Sequence, residues 1–325
     1  MTDDAELIDR YRWFVDHEVT GSSPTYAGWA EGVIVDDALR ARLVNLPRLK
    51  RQPHLLFAAV RFAGAPLAEY EIVGPWIHAH WDDVVAVMSA RATQTNEAAR
   101  CGALLPVLSA IDGPIALIEV GASAGLCLVP DRYSYVFQTP QGETMLTGDP
   151  GAPVIPCVIS GVAPPTRHPE IVWRAGIDLN PLDVSDRDDA RWLELLVWPE
   201  HADRLDRLRA ARAVVAADPV RIVRGDLVEA LPALAAEAPT DATLVVMHTA
   251  VLNYLEAGRR QHAVDVIRGT GARWISQEGI AVIDEVRDRL PEDLGMPSRY
   301  VLALDGIPQA LTGFHGGSYE AIQPR

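Results

Sequence analysis

Apolar positions in the first third of the chain recur at helical spacing. Leu7, Ile8, Tyr11, Phe14 and Val15 fall on one stripe, and Gly21-Ser22-Ser23-Pro24 interrupts it. A short helix is predicted over 36–45, closed by Pro47. Another opens at Pro53 and runs through HLLFAAVRFAG, since proline suits a first helical turn. Residues 81–92 and 96–111 read as two more. No alternation of strand period stands out before residue 114. Residues 1–112 are therefore predicted to form a helical N-terminal cap domain.

The pattern changes at Asp112-Gly113-Pro114. IALIEV (115–120) is a continuous apolar run suited to a strand buried on both faces. Further strands are predicted at 171–179, 220–226, 242–248 and 272–278. Helical segments at 188–217, 229–237 and 256–269 separate them. Such alternation argues for a parallel sheet covered by helices. The stretch at about 132–170 is extended and rich in Gly and Pro, and reads as an inserted hairpin and loop. At the C-terminus, 299–305 and 307–314 alternate around Asp305-Gly306, a strong hairpin signal. The expectation is an α/β domain over 113–325, with a mostly parallel seven-stranded sheet ending in an antiparallel hairpin.

Composition narrows the function classes. A formal net charge of -15 disfavours phosphate backbones, so no nucleic-acid partner is expected. No apolar run reaches the roughly 18 residues needed to cross a bilayer. The acidic start MTDDAELIDRYRW lacks the basic and apolar regions of a secretory signal. A cytoplasmic protein that acts on a small molecule, away from membranes, is expected. Cys101, Cys127 and Cys157 show no paired spacing, and His78 and His80 lack a third ligand nearby, so no metal site is expected.

The candidate chemistry gathers at predicted strand ends. After the first strand stands Glu119-Val120-Gly121-Ala122-Ser123-Ala124-Gly125, whose small residues let backbone approach a ligand. Asp178 follows the second strand and suits ribose hydroxyls. Asp226, followed by Leu227, comes after the third and suits an adenine amino group. His248, Asn253 and Tyr254 come after the fourth; His248 is a candidate general base and Tyr254 a second catalytic candidate. Asn96, Glu97, Arg100 and Tyr133 are candidates for contacting a substrate.

This order resembles the class I S-adenosylmethionine-dependent methyltransferases over roughly 113–320, through EVGASAG, Asp178, Gly225-Asp226 and the terminal hairpin. The resemblance implies a Rossmann-like methyltransferase fold. Glu119, Gly121, Ala122, Ser123 and Gly125 would then hold the methionine part of the cofactor, Asp178 the ribose, and Asp226 with Leu227 the adenine. Two departures stand out. Ser123 replaces the usual middle glycine, and 53 residues separate Gly125 from Asp178. A closer resemblance covers nearly the whole chain. RYRWF, QTNEAARCGALLP (94–106), LIEVGASAGLCLVPDRYSY (117–135) and HGG (315–317) resemble a bacterial family known as domain of unknown function 2332, which implies no reaction.

Two alternatives stand beside this reading. One is a methyltransferase-fold protein that binds without catalysis. The other is a serine hydrolase, because GASAG also spells the G-x-S-x-G turn, with Asp226 or Asp284 and His315 later in the chain.

Overall fold

The computed structural model describes residues 2–94, 96–291, 294 and 299–322. The chain divides into two compact units, one of residues 1–95 with 185–206, the other of 96–184 with 207–325.

The first unit is helical. Its helices Asp3–Phe14, Pro24–Val35 and Asp37–Leu43 begin at Thr2, Ser23 and Asp36. Each of these side chains accepts from a backbone N–H of the first turn, as an N-cap should. Helices Pro53–Ala63, Tyr70–Ala79 and Trp81–Ala90 follow. The core is aromatic: Tyr26, Trp29 and Phe57 meet with ring centroids 5.0 to 5.6 Å apart. The later segment joins through specific bonds. Arg61 donates to the carbonyls of Leu195 and Val197, and Ser23 to Glu200.

The second unit is built on one sheet of eleven strands. They are β1 (Pro114–Val120), β2 (Ser134–Thr139), β3 (Gly142–Leu146), β4 (Val154–Ser160), β5 (Glu170–Asp178) and β6 (Arg221–Arg224). Then come β7 (Thr243–Thr249), β8 (Arg273–Gly279), β9 (Tyr300–Leu304), β10 (Ile307–Thr312) and β11 (Ser318–Ala321). The spatial order is β3-β2-β4-β11-β10-β9-β8-β7-β1-β5-β6. Five parallel strands, β6-β5-β1-β7-β8, form the central part. Within this part β5 and β6 lie on one side of β1, and the chain then crosses to β7 and β8 on the other. Open α/β sheets bind ligands outside the carboxyl ends of their strands at such a reversal.

The seven-stranded expectation fails for a definable reason. The stretch after β1 is no separate insertion, because β2, β3 and β4 join the same sheet. The hairpin β9–β10 forms, with Asp305 and Gly306 both at positive φ, but the chain continues into β11. That short strand pairs antiparallel with β10 and parallel with β4, which fuses the two parts.

No helix follows β1 directly. Gly121, Ser123 and Gly125 have φ of 73°, 52° and 76°. A right-handed helix excludes alternate left-handed residues, so residues 121–133 run as successive turns. Below the carboxyl ends, one face of the sheet packs Ile118, Val120, Val246 and Trp274 against helices Leu227–Ala235 and Ala257–Gly269. Helix Arg100–Leu108 packs on β4 and β11.

Candidate functional site

The loop 121–126 is fixed from below and from both sides. Gly121 and Ala122 donate to the Ile177 carbonyl at 2.8 and 3.1 Å, and Gly125 to that of Ala122. Ser123 N–H donates to Asp178 Oδ2 at 2.8 Å, and Leu126 N–H to Asn96 Oδ1 at 2.9 Å. Most of the N–H groups positioned to cradle an anion are thus consumed internally. Gly121 is required by packing as well as by φ, since a Cβ there would stand 2.4 Å from Val251 Cγ2.

The loop offers a ligand side-chain oxygens instead. Glu119 is 1% exposed and its Oε2 has no partner. Burial holds its pKa well above the usual carboxylate range; Cys127 and Asp178 push the same way, and Arg100 opposes them. Ser123 Oγ is likewise buried and without a partner. A buried polar atom left unmatched costs about 1–3 kcal/mol. Such atoms are rare in native proteins and call for an explanation.

Strand register places more polar side chains beside Glu119. Glu119 pairs with Met247, and Thr249, two residues on, pairs with Gln277. Partners in register, and residues two apart, share a face. Gln277 Nε2 donates to Thr312 Oγ1 at 2.8 Å. Glu119, Thr249, Gln277 and Thr312 therefore form a buried polar row across β1, β7, β8 and β10. Gln277 Oε1 has no partner. Arg100 closes the row. Its Nη1 donates to Thr249 O and Oγ1 at 3.2 and 3.0 Å, and its Nε to Phe314 O at 3.3 Å. Arg100 is 7% exposed and bonds only neutral acceptors among the described residues.

On the opposite face stands a second polar cluster. His248 Nδ1 lies 2.7 Å from Glu278 Oε1, and Trp274 Nε1 donates to His248 Nε2 at 2.9 Å. An indole N–H can only donate, so Nε2 is the acceptor and Nδ1 carries the proton. Glu278 Oε1 also takes the N–H groups of Val251 and Leu252. With both nitrogens bonded and no exposed surface, His248 in this arrangement positions the turn after β7 and presents no base to a ligand.

The other sequence-selected residues divide plainly. Glu97 accepts from Ala99 N–H and Arg207 Nε, so Glu97 and Asn96 hold the loop in place. Tyr133 is buried and donates to Leu126 O at 2.7 Å. Gly125 meets Val220. Asp178 accepts from Ser123 and Asn180 N–H groups and ties β5 to the loop. Asp226 caps helix Leu227–Ala235 through Val228 N–H and pairs with Arg259. Leu227 belongs to the apolar cluster beneath. Tyr254 is 63% exposed in a short helical turn. Thr249, Gln277, Thr312, Trp274 and Glu278 were not selected from the sequence. The only signal was polarity at the carboxyl end of an apolar run.

Ser123 Oγ has no histidine bonded to it, and Asp284 pairs with Arg287. A serine nucleophile needs an adjacent base, and GASAG here leads into turns, not a helix. Among the described residues no group of three or more His, Cys, Asp or Glu side chains could hold a metal, and no helix is long and apolar enough to cross a membrane.

Three of the motifs separated in sequence converge on this site. A Cβ on Gly316, within HGG, would stand 2.2 Å from Ala99 O and 2.3 Å from Arg100 Cα, and Cys127 Sγ lies 3.5 Å from Glu97 O. NEAARCG, EVGASAGLC and HGG are neighbours; Thr95, just before the first, lies outside the described residues. No curated protein matched the chain. The bacterial family described as "uncharacterized protein conserved in bacteria" (DUF2332) matches residues 8–317, and the chain belongs to it.

Proposed function

We propose that the sheet unit is an S-adenosylmethionine-dependent methyltransferase acting on a small molecule. The cofactor site would lie outside the carboxyl ends of β1 and β5, on a Rossmann-like methyltransferase core. One observation carries the reading. At the strand-order reversal most of the loop's donors are spent, while the buried oxygens Glu119 Oε2 and Ser123 Oγ stand unmatched. That donor set suits a ligand rich in N–H and O–H groups, such as an amino acid joined to a nucleoside. It does not suit a pyrophosphate, which needs donors. The group fits: Glu119 would face its ammonium and Asp178 its ribose. When bound, the cofactor supplies an electrophilic methyl group.

Burial favours the neutral form of Glu119 until a cation joins it. An ammonium placed beside Glu119 would lower its pKa again, so binding should release a proton. The remaining task of the chain is orientation in a site with little water.

Calorimetry tests this. S-adenosylmethionine or its demethylated product should bind, with a heat that changes with the ionisation enthalpy of the buffer. Asp178→Asn should weaken binding by about tenfold or more, on the order of 1.4 kcal/mol. No binding at millimolar cofactor, together with an unaltered Asp226→Ala variant, would overturn the reading.

The engaged nitrogens of His248 favour a second reading, a protein that binds the same ligand without transferring the methyl group. Cofactor binding with no methyl transfer to any component of a cell extract would favour it.

A further inference from the structure

We infer that Arg100 is the receptor for a ligand carboxylate. The inference rests on the reading that the ligand binds beside β1, and is independent of which nucleoside binds there.

Arg100 is more than nine-tenths buried, yet it bonds only neutral acceptors: Thr249 O, Thr249 Oγ1 and Phe314 O. A buried guanidinium without a counter-ion is expensive, and proteins normally match it with an acid. Glu119, the acid of the same polar row, leaves its Oε2 without a partner and forms no ion pair with Arg100. Meanwhile Nη2 is left without a partner among the described residues, while Nη1 and Nε are anchored. The anchors fix the plane of the fork, and a fixed fork suits a planar carboxylate. The surroundings also set the charge of the ligand. One cation matches one negative charge. Among the unmatched oxygens of this row, Gln277 Oε1 can only accept, which disfavours the second charge of a phosphate dianion.

Construction of the site supports the same role. Gly316 has φ of 79° and packs on the backbone of Ala99 and Arg100, where any side chain would collide. Asn96 and Glu97, just before, are tied to Leu126 and Arg207. Arg100 is therefore held from both ends of its own segment and from the 313–317 turn.

The carboxylate has two possible sources: the amino-acid end of the cofactor, or an acid group on the methyl acceptor. Acetate reports on their shared chemistry. The full-length, isotope-labelled protein would be titrated with acetate and with acetamide while the arginine Nε–H signals are followed by NMR. The Arg100 signal is assigned by its loss in Arg100→Lys. The expected result is a saturable shift of that signal with acetate below about 100 mM, a reasonable range for so small a fragment, and none with acetamide. Prior addition of S-adenosylhomocysteine separates the sources: blocked acetate binding assigns the cofactor's carboxylate, and undiminished binding assigns the acceptor's. An unmoved Arg100 signal, an equal response to acetamide, or a response to inorganic phosphate alone overturns the inference. Since acetate binding is read without any nucleoside, it can fail or succeed independently of cofactor calorimetry.

Discussion

The carboxyl end of this sheet carries two buried polar clusters, one on each face, and they are finished differently. Around His248 every N–H donor has an acceptor. Trp274 serves Nε2, and Glu278 Oε1 collects Nδ1–H and two backbone N–H groups. Around Glu119 the account stays open: Glu119 Oε2, Ser123 Oγ and Gln277 Oε1 lack partners, and Arg100 lacks a counter-ion. Both clusters are buried, so burial alone cannot separate scaffold from site. The number of unmatched groups can: one oxygen, Glu278 Oε2, on the His248 side, against three oxygens and a cation without a counter-ion around Glu119. A network with matched donors rigidifies the fold; one with unmatched atoms holds free energy that a ligand can recover.

If that contrast is right, the largest loss of stability follows from the closed cluster. Glu278→Ala would strand three buried donors at once. A destabilisation of at least about 3 kcal/mol is expected in chemical denaturation, from a cost near 1–3 kcal/mol per stranded group. A loss under 1 kcal/mol on the same scale would erase the distinction between the faces.

The open cluster should respond in the opposite sense, and with pH. The pKa of Glu119 is raised in the folded protein. Its carboxyl is fully compatible with folding below the ordinary carboxylate range, where both states are protonated. As pH rises, the unfolded chain ionises first and stability is lost, until the folded pKa is passed. Glu119→Gln removes that loss. Without ligand, the variant should gain on the wild type between acid and neutral pH, as read from denaturation midpoints at several pH values. A difference independent of pH would show that Glu119 is already ionised and matched.

Ser123→Ala gives the smallest effect and the sharpest contrast. Removing an unmatched buried hydroxyl should change stability by no more than about 1 kcal/mol, in either direction, while cofactor affinity falls. A large loss of stability would mean that Ser123 belongs to the scaffold.

Much of the frame was legible in the order of residues. The break at Asp112-Gly113, the buried run of β1 and the hairpin at Asp305-Gly306 each depend on a few adjacent residues. Glu119, Ser123, Arg100 and Asp178 could be selected because acids and small residues at strand ends have local signatures. Other features depended on partners distant in sequence. Gly121, Ser123 and Gly125 look like a helix entry until their alternating left-handed backbone is known. Trp198 and Glu200 read as part of the α/β series, yet they bond within the helical unit. Thr249, Gln277 and Thr312 were missed because a polar residue in a strand acquires meaning only from the strands beside it.

The sequence by itself therefore determined the local elements, the family and the residue types at the strand ends. Short-range propensity and turn chemistry act over a few residues, and that information is complete in the chain. Tertiary structure alone decided that β2, β3 and β4 join the main sheet, that His248 is enclosed, and that Arg100 reaches Thr249 and Phe314 without a counter-ion. These are matters of pairing register and of which donor reaches which acceptor. Both are fixed by contacts between residues distant in sequence, from His248 with Trp274 to Arg100 with Phe314.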